Sequence, residues 1–177
     1  MRVLSLFDGI ATGRLALEMA GVPVDLYIAS EIDKDAKAVA RTNWPDMIHI
    51  GPVESVTAPD LPKIDLVIGG SPCQGFSRAG AGLNFDDPRS RLFFDYVRVL
   101  NEVREKNPDV KFLLENVIMK REWEDVITEK LGVQPVHSRA HSAQNRPRAY
   151  WSNIADLSPL SSGGGSRWTP SSTAASM

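Results

Sequence analysis

Cys73 is the only cysteine in the 177-residue chain, and it stands in the turn GGSPCQGFS directly after the apolar run KIDLVIGG. A lone thiol taken by itself packs as a small hydrophobe. Its setting here is different: Pro72 and flanking glycines make a polar turn, where backbone N–H groups and nearby arginines favour the thiolate, a nucleophile. Such a nucleophile needs an acid or base, and the scattered His49, His137 and His141 form no recognisable pattern with it. Glu115, in LLENV, is the better partner. A carboxyl set among Leu113, Leu114 and Val117 tends to keep its proton and can donate it, although a strand-end cap would read the same way. A third group is HSRAHSAQNRPRAYW (137–151), with Arg139, Arg146 and Arg148 and no acid; by itself it fits a solvated loop as well as an anion site. The fourth is FDGIATG. Gly9 and Gly13 allow backbone to approach a ligand, and Glu31, eighteen residues beyond Gly13, can accept hydrogen bonds from ribose hydroxyls, which together suit a nucleoside-containing cofactor. A tight turn and a surface cap are the alternative. The spacing is not GxGxxG, so a nicotinamide cofactor fits poorly.

These residues lie at the ends of elements that the pattern places in alternation. RVLSLF (2–7) reads as a strand followed by a tight turn and a short helix ending at Gly21. VDLYIASEID (24–33) repeats the scheme, its helix stopping before Pro45. KIDLVIGG (63–70) and VKFLLENV (110–117) are further strands, and between them Leu92, Phe93, Tyr96, Val97, Leu100 and Val103 recur at helical spacing up to Pro108. A helix over REWEDVITEKLG and a last strand, AYWSNI, complete the reading. Alternating strands and helices, with strands apolar on both faces, predict an α/β fold with a mostly parallel sheet covered on both sides. Ligands bind such sheets outside the carboxyl ends of the strands, where FDGIATG, SEID, GGSPCQGFS and ENV all fall.

Composition bounds the rest. The length suits one domain, read as 1–157, followed by a Ser/Gly/Thr-rich tail, 158–177, with the character of a flexible linker. Hydrophobic residues are 42% and charged residues 24%, ordinary for a globular protein, and no apolar run approaches a membrane span. The start of the chain reads as a strand rather than a signal peptide, so a cytoplasmic location is expected. One cysteine and three separated histidines predict no metal site. A net charge of −2 gives no overall attraction to nucleic acid, so any nucleic-acid site must be local.

In order and approximate spacing, LSLFDGIATG, SEID, DLVIGGSPCQGFS, FLLENV and SAQNRPRAYW resemble the DNA cytosine carbon-5 methyltransferases, over about residues 2–154. GGSPC and RLFFDYVRVL are most similar to the de novo-type enzymes and their small bacterial and phage relatives. The resemblance implies a Rossmann-like methyltransferase fold and S-adenosylmethionine as cofactor, leaving as S-adenosylhomocysteine. It implies that Phe7, Asp8, Gly9 and Ile10 line the cofactor pocket, that Glu31 binds the ribose, that Ile32 packs on adenine and that Leu92 lies nearby. Cys73 would attack carbon 6 of a flipped-out cytosine, Glu115 would hold nitrogen 3 and the exocyclic amine, and Arg148 would contact the base carbonyl, with Arg146 and Gln144 ordering the site. Ser77, Arg78 and Gln144 would face double-stranded DNA, with the segment after Cys73 closing over the base. Restriction–modification is the biological setting the resemblance suggests.

The sequence also departs from the family's pattern. Pro52 stands where the family usually carries an acid that reaches the adenine amine. Little target-recognition sequence separates AYWSN from GGGSRWTP, and the closing Asn-Ser motif has no counterpart, so the chain reads as a shortened member. These features keep two alternatives open: a regulatory or split-enzyme subunit that needs a complementary chain, and a tRNA cytosine methyltransferase. RNA-directed members usually show Pro-Pro-Cys-Gln-Pro-Phe-Thr at the nucleophile, where this chain has Gly75 and Ser77. A homo-oligomer through the helix bearing Phe93, Phe94 and Tyr96 is a further expectation, with ordinary sheet-facing core as its alternative.

Overall fold

The computed structural model describes residues 1–72, 88–141 and 145–155, with the side chains of 88–91, 139–141 and 145 excepted. Cys73, Ser77, Arg78, Gln144 and the tail 158–177 therefore lie outside the described residues.

The strands are β1 (Arg2–Leu6), β2 (Leu26–Ser30), β3 (Ile48–His49), β4 (Leu66–Gly69), β5 (Lys111–Val117), β6 (Val136–His141) and β7 (Asn145–Ser152). The helices are α1 (Thr12–Met19), α2 (Lys34–Asn43), α3 (Pro88–Lys106) and α4 (Arg121–Leu131). One sheet runs in the order β3-β2-β1-β4-β5-β7-β6. Its first five strands are parallel, and β7 and β6 are antiparallel to their neighbours. The expected α/β class holds, as does a mostly parallel sheet with helices on both faces. Two elements were not legible. β3 is only two residues long, and Val136–His141 and Asn145–Ser152 pair as the antiparallel strands β6 and β7 rather than forming a loop ahead of a final strand.

Strand alternation divides the core in two. On one face Leu4, Leu6, Ile28, Val67, Phe112 and Leu114 pack against α3 and α4. On the other, Val3, Tyr27, Ala29, Leu66 and Ile68 form a smaller core with Ala11 and Ala40 at α1 and α2. Phe93 and Tyr96 are fully buried in the first of these and are sheet-facing core, whereas Phe94 on the same helix is 39% exposed. No helix among the described residues is long and apolar enough to cross a membrane.

The chain passes from β1 outward through β2 to β3, then returns to β4 and runs outward the other way. The β1–β4 boundary is therefore the switch point, where the crevice of such a sheet opens. Gly69 ends β4 there in a close-packed position: a Cβ on it would meet the Leu6 carbonyl oxygen at 2.8 Å and Tyr96 at 3.0 Å. Neither the backbone nor a fully buried ring can yield cheaply, so Gly69→Ala is expected to lower stability by about 1–3 kcal/mol, read as a lower denaturant midpoint at unchanged slope.

A polar stripe on α3 anchors the segment after β3. Arg98 donates to the carbonyls of Val53 and Val56 at 3.1 and 2.8 Å, Glu102 accepts from the Ala58 N–H at 2.9 Å, and Lys106 donates to the carbonyls of Ala58, Pro59 and Leu61. Two short 3-10 turns, Val53–Ser55 and Ala58–Asp60, are thereby held to the α3 side of the sheet.

Candidate active site

The glycine-rich turn after β1 is sharply bent. Phe7, Gly9 and Ala11 all have left-handed backbone, with φ of 57°, 60° and 65°. Glycine takes this conformation at no steric cost, whereas Phe7 and Ala11 are held in it by their surroundings. The Asp8 N–H donates to the Ser30 carbonyl at 3.1 Å, and the Gly9 N–H donates to Glu31 Oε2 at 2.7 Å. Glu31 Oε1 also accepts the N–H groups of Ile32 and Asp33, both at 2.8 Å. Glu31 thus ties the first turn to the end of β2, with three backbone donors on a carboxylate that offers roughly four lone-pair directions. Asp33 then caps α2, accepting from Asp35 and Ala36.

The Asp8 side chain turns inward. It is 7% exposed, and its Oδ1 accepts the Tyr27 hydroxyl at 2.8 Å. Burial, ahead of every other influence, raises its pKa, while the hydroxyls of Ser5 and Tyr27 pull it back down. Ile10 and Ile32 project into solvent, Ile32 with 72% of its surface exposed, an apolar side chain without cover at the tip of β2. Pro52 is exposed as well, next to Gly51, whose carbonyl accepts the Ser30 hydroxyl at 2.8 Å.

The other half of the site comes from β5 and β7. Alternation along β5 sends Leu114 and Asn116 into the sheet and leaves Glu115 facing outward. The expectation that leucines bury Glu115 is therefore corrected: its side chain is 34% exposed and forms an ion pair with Arg148 Nε. Glu115 also lies against the start of the Cys73 turn, since a Cβ on Gly70 would come within 3.0 Å of its Oε2. Asn116, buried on the opposite side, donates to the Ser71 hydroxyl at 3.1 Å and accepts the Val117 N–H at 2.8 Å. β5 therefore supplies an acid beside Gly70 and an anchor on Ser71, two residues before the thiol.

A cleft of about 580 Å³ joins the two halves, lined by Phe7 to Ile10 on one side and by Glu115, Arg146 and Tyr150 on the other. Glu31, Ile32, Leu92 and Arg148 are not part of its lining; Glu31 is linked to it through Gly9, Arg148 through Glu115, and Leu92 is half-buried against the core. Tyr150 was not anticipated. The signal was available in the period of two from Arg146 through Arg148 to Tyr150, which puts all three on one face once 145–152 is read as a strand. Burial, then the neighbouring Glu115, raises the Tyr150 pKa and keeps its phenol protonated.

These features suit S-adenosylmethionine. A left-handed glycine lets backbone approach a ligand, Ile10 and Ile32 are apolar surfaces without cover, and buried Asp8 Oδ2 has no hydrogen-bond partner among the described residues.

Comparison with known proteins bears on the same residues. The family model for C-5 cytosine-specific DNA methylase matches residues 1–125. The orphan methyltransferase M.SPRI of Bacillus phage SPR is 44% identical over 119 residues, 66% of this chain and 26% of that protein. The type II methyltransferase M1.ScrFI of Lactococcus lactis subsp. cremoris is 40% identical over 116 residues, 66% of this chain and 28% of its own length. The chain thus spans about a quarter of the length of these relatives. Among solved structures, a prophage-encoded E. coli protein assigned as a DNA modification methyltransferase superposes with a TM-score of 0.66 at 26% identity, covering 86% of this chain and 46% of that one. The fold is also that of S. pombe Dnmt2 methyltransferase, with a TM-score of 0.59 at 23% identity over 86% of this chain and 48% of the other. With the glycine turn, the β2 acid and the Glu-Asn-Val strand all inside the matched region, the chain belongs to the C-5 cytosine-specific DNA methylase family.

Proposed function

We propose that this chain carries the catalytic core, within 1–157, of an S-adenosylmethionine-dependent methyltransferase acting on carbon 5 of cytosine in double-stranded DNA. One observation carries the reading: Glu115, paired with Arg148, lies against Gly70, three residues before Cys73, and lines the cleft that also contains the glycine turn. Phe7, Gly9 and Ile10 would hold the cofactor, with Glu31 at its ribose and Ile32 on its adenine. When bound, S-adenosylmethionine supplies an electrophilic methyl group and becomes S-adenosylhomocysteine.

The chain's own residues make the base reactive. The Cys73 thiolate adds to carbon 6 of a flipped-out cytosine, and the electrons of the carbon 5–carbon 6 double bond pass into the ring. Glu115 shares a proton with nitrogen 3 and accepts from the exocyclic amine, which stabilises that charge and leaves carbon 5 nucleophilic. Arg148 donates to the base carbonyl, and Arg146 and Gln144 order the neighbourhood. After methylation, loss of the carbon 5 proton restores the double bond as the Cys73 sulfur leaves. Ser77 and Arg78, which follow the nucleophile, would contact the DNA.

The test is transfer of tritium from labelled S-adenosylmethionine to a cytosine-containing duplex. No incorporation into DNA, with incorporation into tRNA instead, would overturn the DNA reading. A second reading rests on α1. None of its residues is buried, and Met19 is 80% exposed with Leu15 beside it, so a complementary chain could cover this helix. In that case S-adenosylhomocysteine would bind only after a partner fragment is added.

Pro52 offers neither an N–H nor a polar side chain at the β3 end of the site. Pro52→Asp is expected to tighten S-adenosylhomocysteine about three- to tenfold by adding an acceptor for an adenine amine. Titration calorimetry on both proteins measures it.

A further inference from the structure

Tyr150 lines the cleft with Glu115 and Arg146, yet the cytosine chemistry gives it no task. Strand register fixes its place. On the antiparallel β5–β7 ladder Tyr150 stands opposite Glu115, and Arg148 stands opposite Val117, two residues nearer the end of β5. Opposed residues on such a ladder share a face, with Cβ atoms about 4.5–5.5 Å apart, so the phenol and the Glu115 carboxyl stand side by side in the cleft. The two groups also act on each other: after burial, Glu115 is the largest influence raising the Tyr150 pKa, and the phenol stays protonated as a neutral donor. Arg148 and then Arg146 act on it in the opposite direction. Arg148 holds Glu115 incompletely. Its Nε meets Oε1 as an ion pair without a hydrogen bond, and its Nη1 donates to the neighbouring Pro147 carbonyl at 2.9 Å.

We propose that Tyr150 is a positioning residue for Glu115: when the Arg148 guanidinium turns to the base carbonyl, the Tyr150 hydroxyl donates to the vacated Oε1 and keeps the carboxyl aimed at nitrogen 3. This rests on the cytosine reading above. A charged donor in that place favours the ionised carboxylate, whereas a neutral phenol orients the same oxygen with a weaker pull against the proton that Glu115 shares with nitrogen 3. Oε2, on the Gly70 side, is left to the base. Glu115 thus changes partners as the base enters, from a cation to a phenol, without losing its direction.

The experiment is a double-mutant cycle read by methyl transfer from labelled S-adenosylmethionine to a cytosine-containing duplex, with wild type, Tyr150→Phe, Glu115→Gln and the double variant. Tyr150→Phe keeps the ring and removes only the hydroxyl. It is expected to lower kcat about tenfold, with KM for DNA and for the cofactor within about twofold of wild type. In the Glu115→Gln background the same change should cost less than about twofold, because the hydroxyl acts through the carboxyl. An unchanged kcat for Tyr150→Phe, or a tenfold loss that persists in full beside Glu115→Gln, overturns the proposal while the wild-type activity upholds the cytosine reading. A Tyr150→Phe chain that does not fold, or whose thermal midpoint falls along with its rate, also overturns it and assigns the hydroxyl to stability. A wild-type chain that transfers no label to DNA overturns the cytosine reading, and this proposal with it.

Discussion

Cys73→Ser is expected to abolish covalent capture of a duplex containing 5-fluorocytosine and to slow methyl transfer by about a thousandfold or more. The fluorine at carbon 5 cannot leave as a proton, so an adduct formed through Cys73 stays attached after methylation, and a band that survives denaturing electrophoresis reports it. Serine is close to cysteine in size but offers an alcohol, far less nucleophilic than a thiolate at neutral pH. Because Cys73 is the only cysteine, no other thiol in the chain can produce the band. A band of undiminished intensity from Cys73→Ser would remove the thiol from the mechanism. So would wild-type methyl transfer with no band at all.

What makes this prediction specific was partly legible in the residues. The apolar runs ending in FDGIATG, SEID, GGSPCQGFS and ENV each become a strand, and the carboxyl ends of β1, β4 and β5 line the cleft, because buried parallel strands announce themselves by apolarity on both faces. The acid at Glu31 was legible too, although its three backbone donors were not, since a sequence does not show that the next turn folds back onto it. Asp8 was read as pocket lining; it is part of the cleft wall, but its carboxyl points to Tyr27, nineteen residues away. The β6–β7 hairpin was hidden for a different reason. Its strands are rich in Arg, His and Ser, and polar strands lack the apolar signal on which the reading depended. Arg146 and Arg148 were chosen by motif, whereas Tyr150 required knowing the strand. Glu115 was misjudged through its neighbours: Leu114 lies on the opposite face of the sheet, so adjacency in sequence is not adjacency in space.

That error sharpens the second large prediction. A half-exposed Glu115 paired with Arg148 contributes little to stability, since ion pairs of this kind give about 0–1 kcal/mol. Its position against Gly70, three residues before Cys73, gives it leverage on the reaction instead. Glu115→Gln keeps the shape and a carbonyl oxygen but cannot share a proton with nitrogen 3. It is expected to reduce methyl transfer by about a hundred- to ten-thousandfold at saturating DNA and cofactor. S-Adenosylhomocysteine affinity should stay within about twofold, because the cofactor turn is tied to Glu31 rather than to Glu115, and the thermal midpoint should move by only a degree or two. A structural role predicts the opposite pairing, with the midpoint falling along with the rate. Arg148→Lys separates the partners further: a lysine keeps the charge beside Glu115 but loses the planar fork, so a rate loss without loss of fold would assign Arg148 to the base rather than to the pair. If Glu115→Gln and Arg148→Lys instead lower the rate and the midpoint in proportion, the two residues serve to pin β5 to β7, and the proton at nitrogen 3 must come from elsewhere in the cleft.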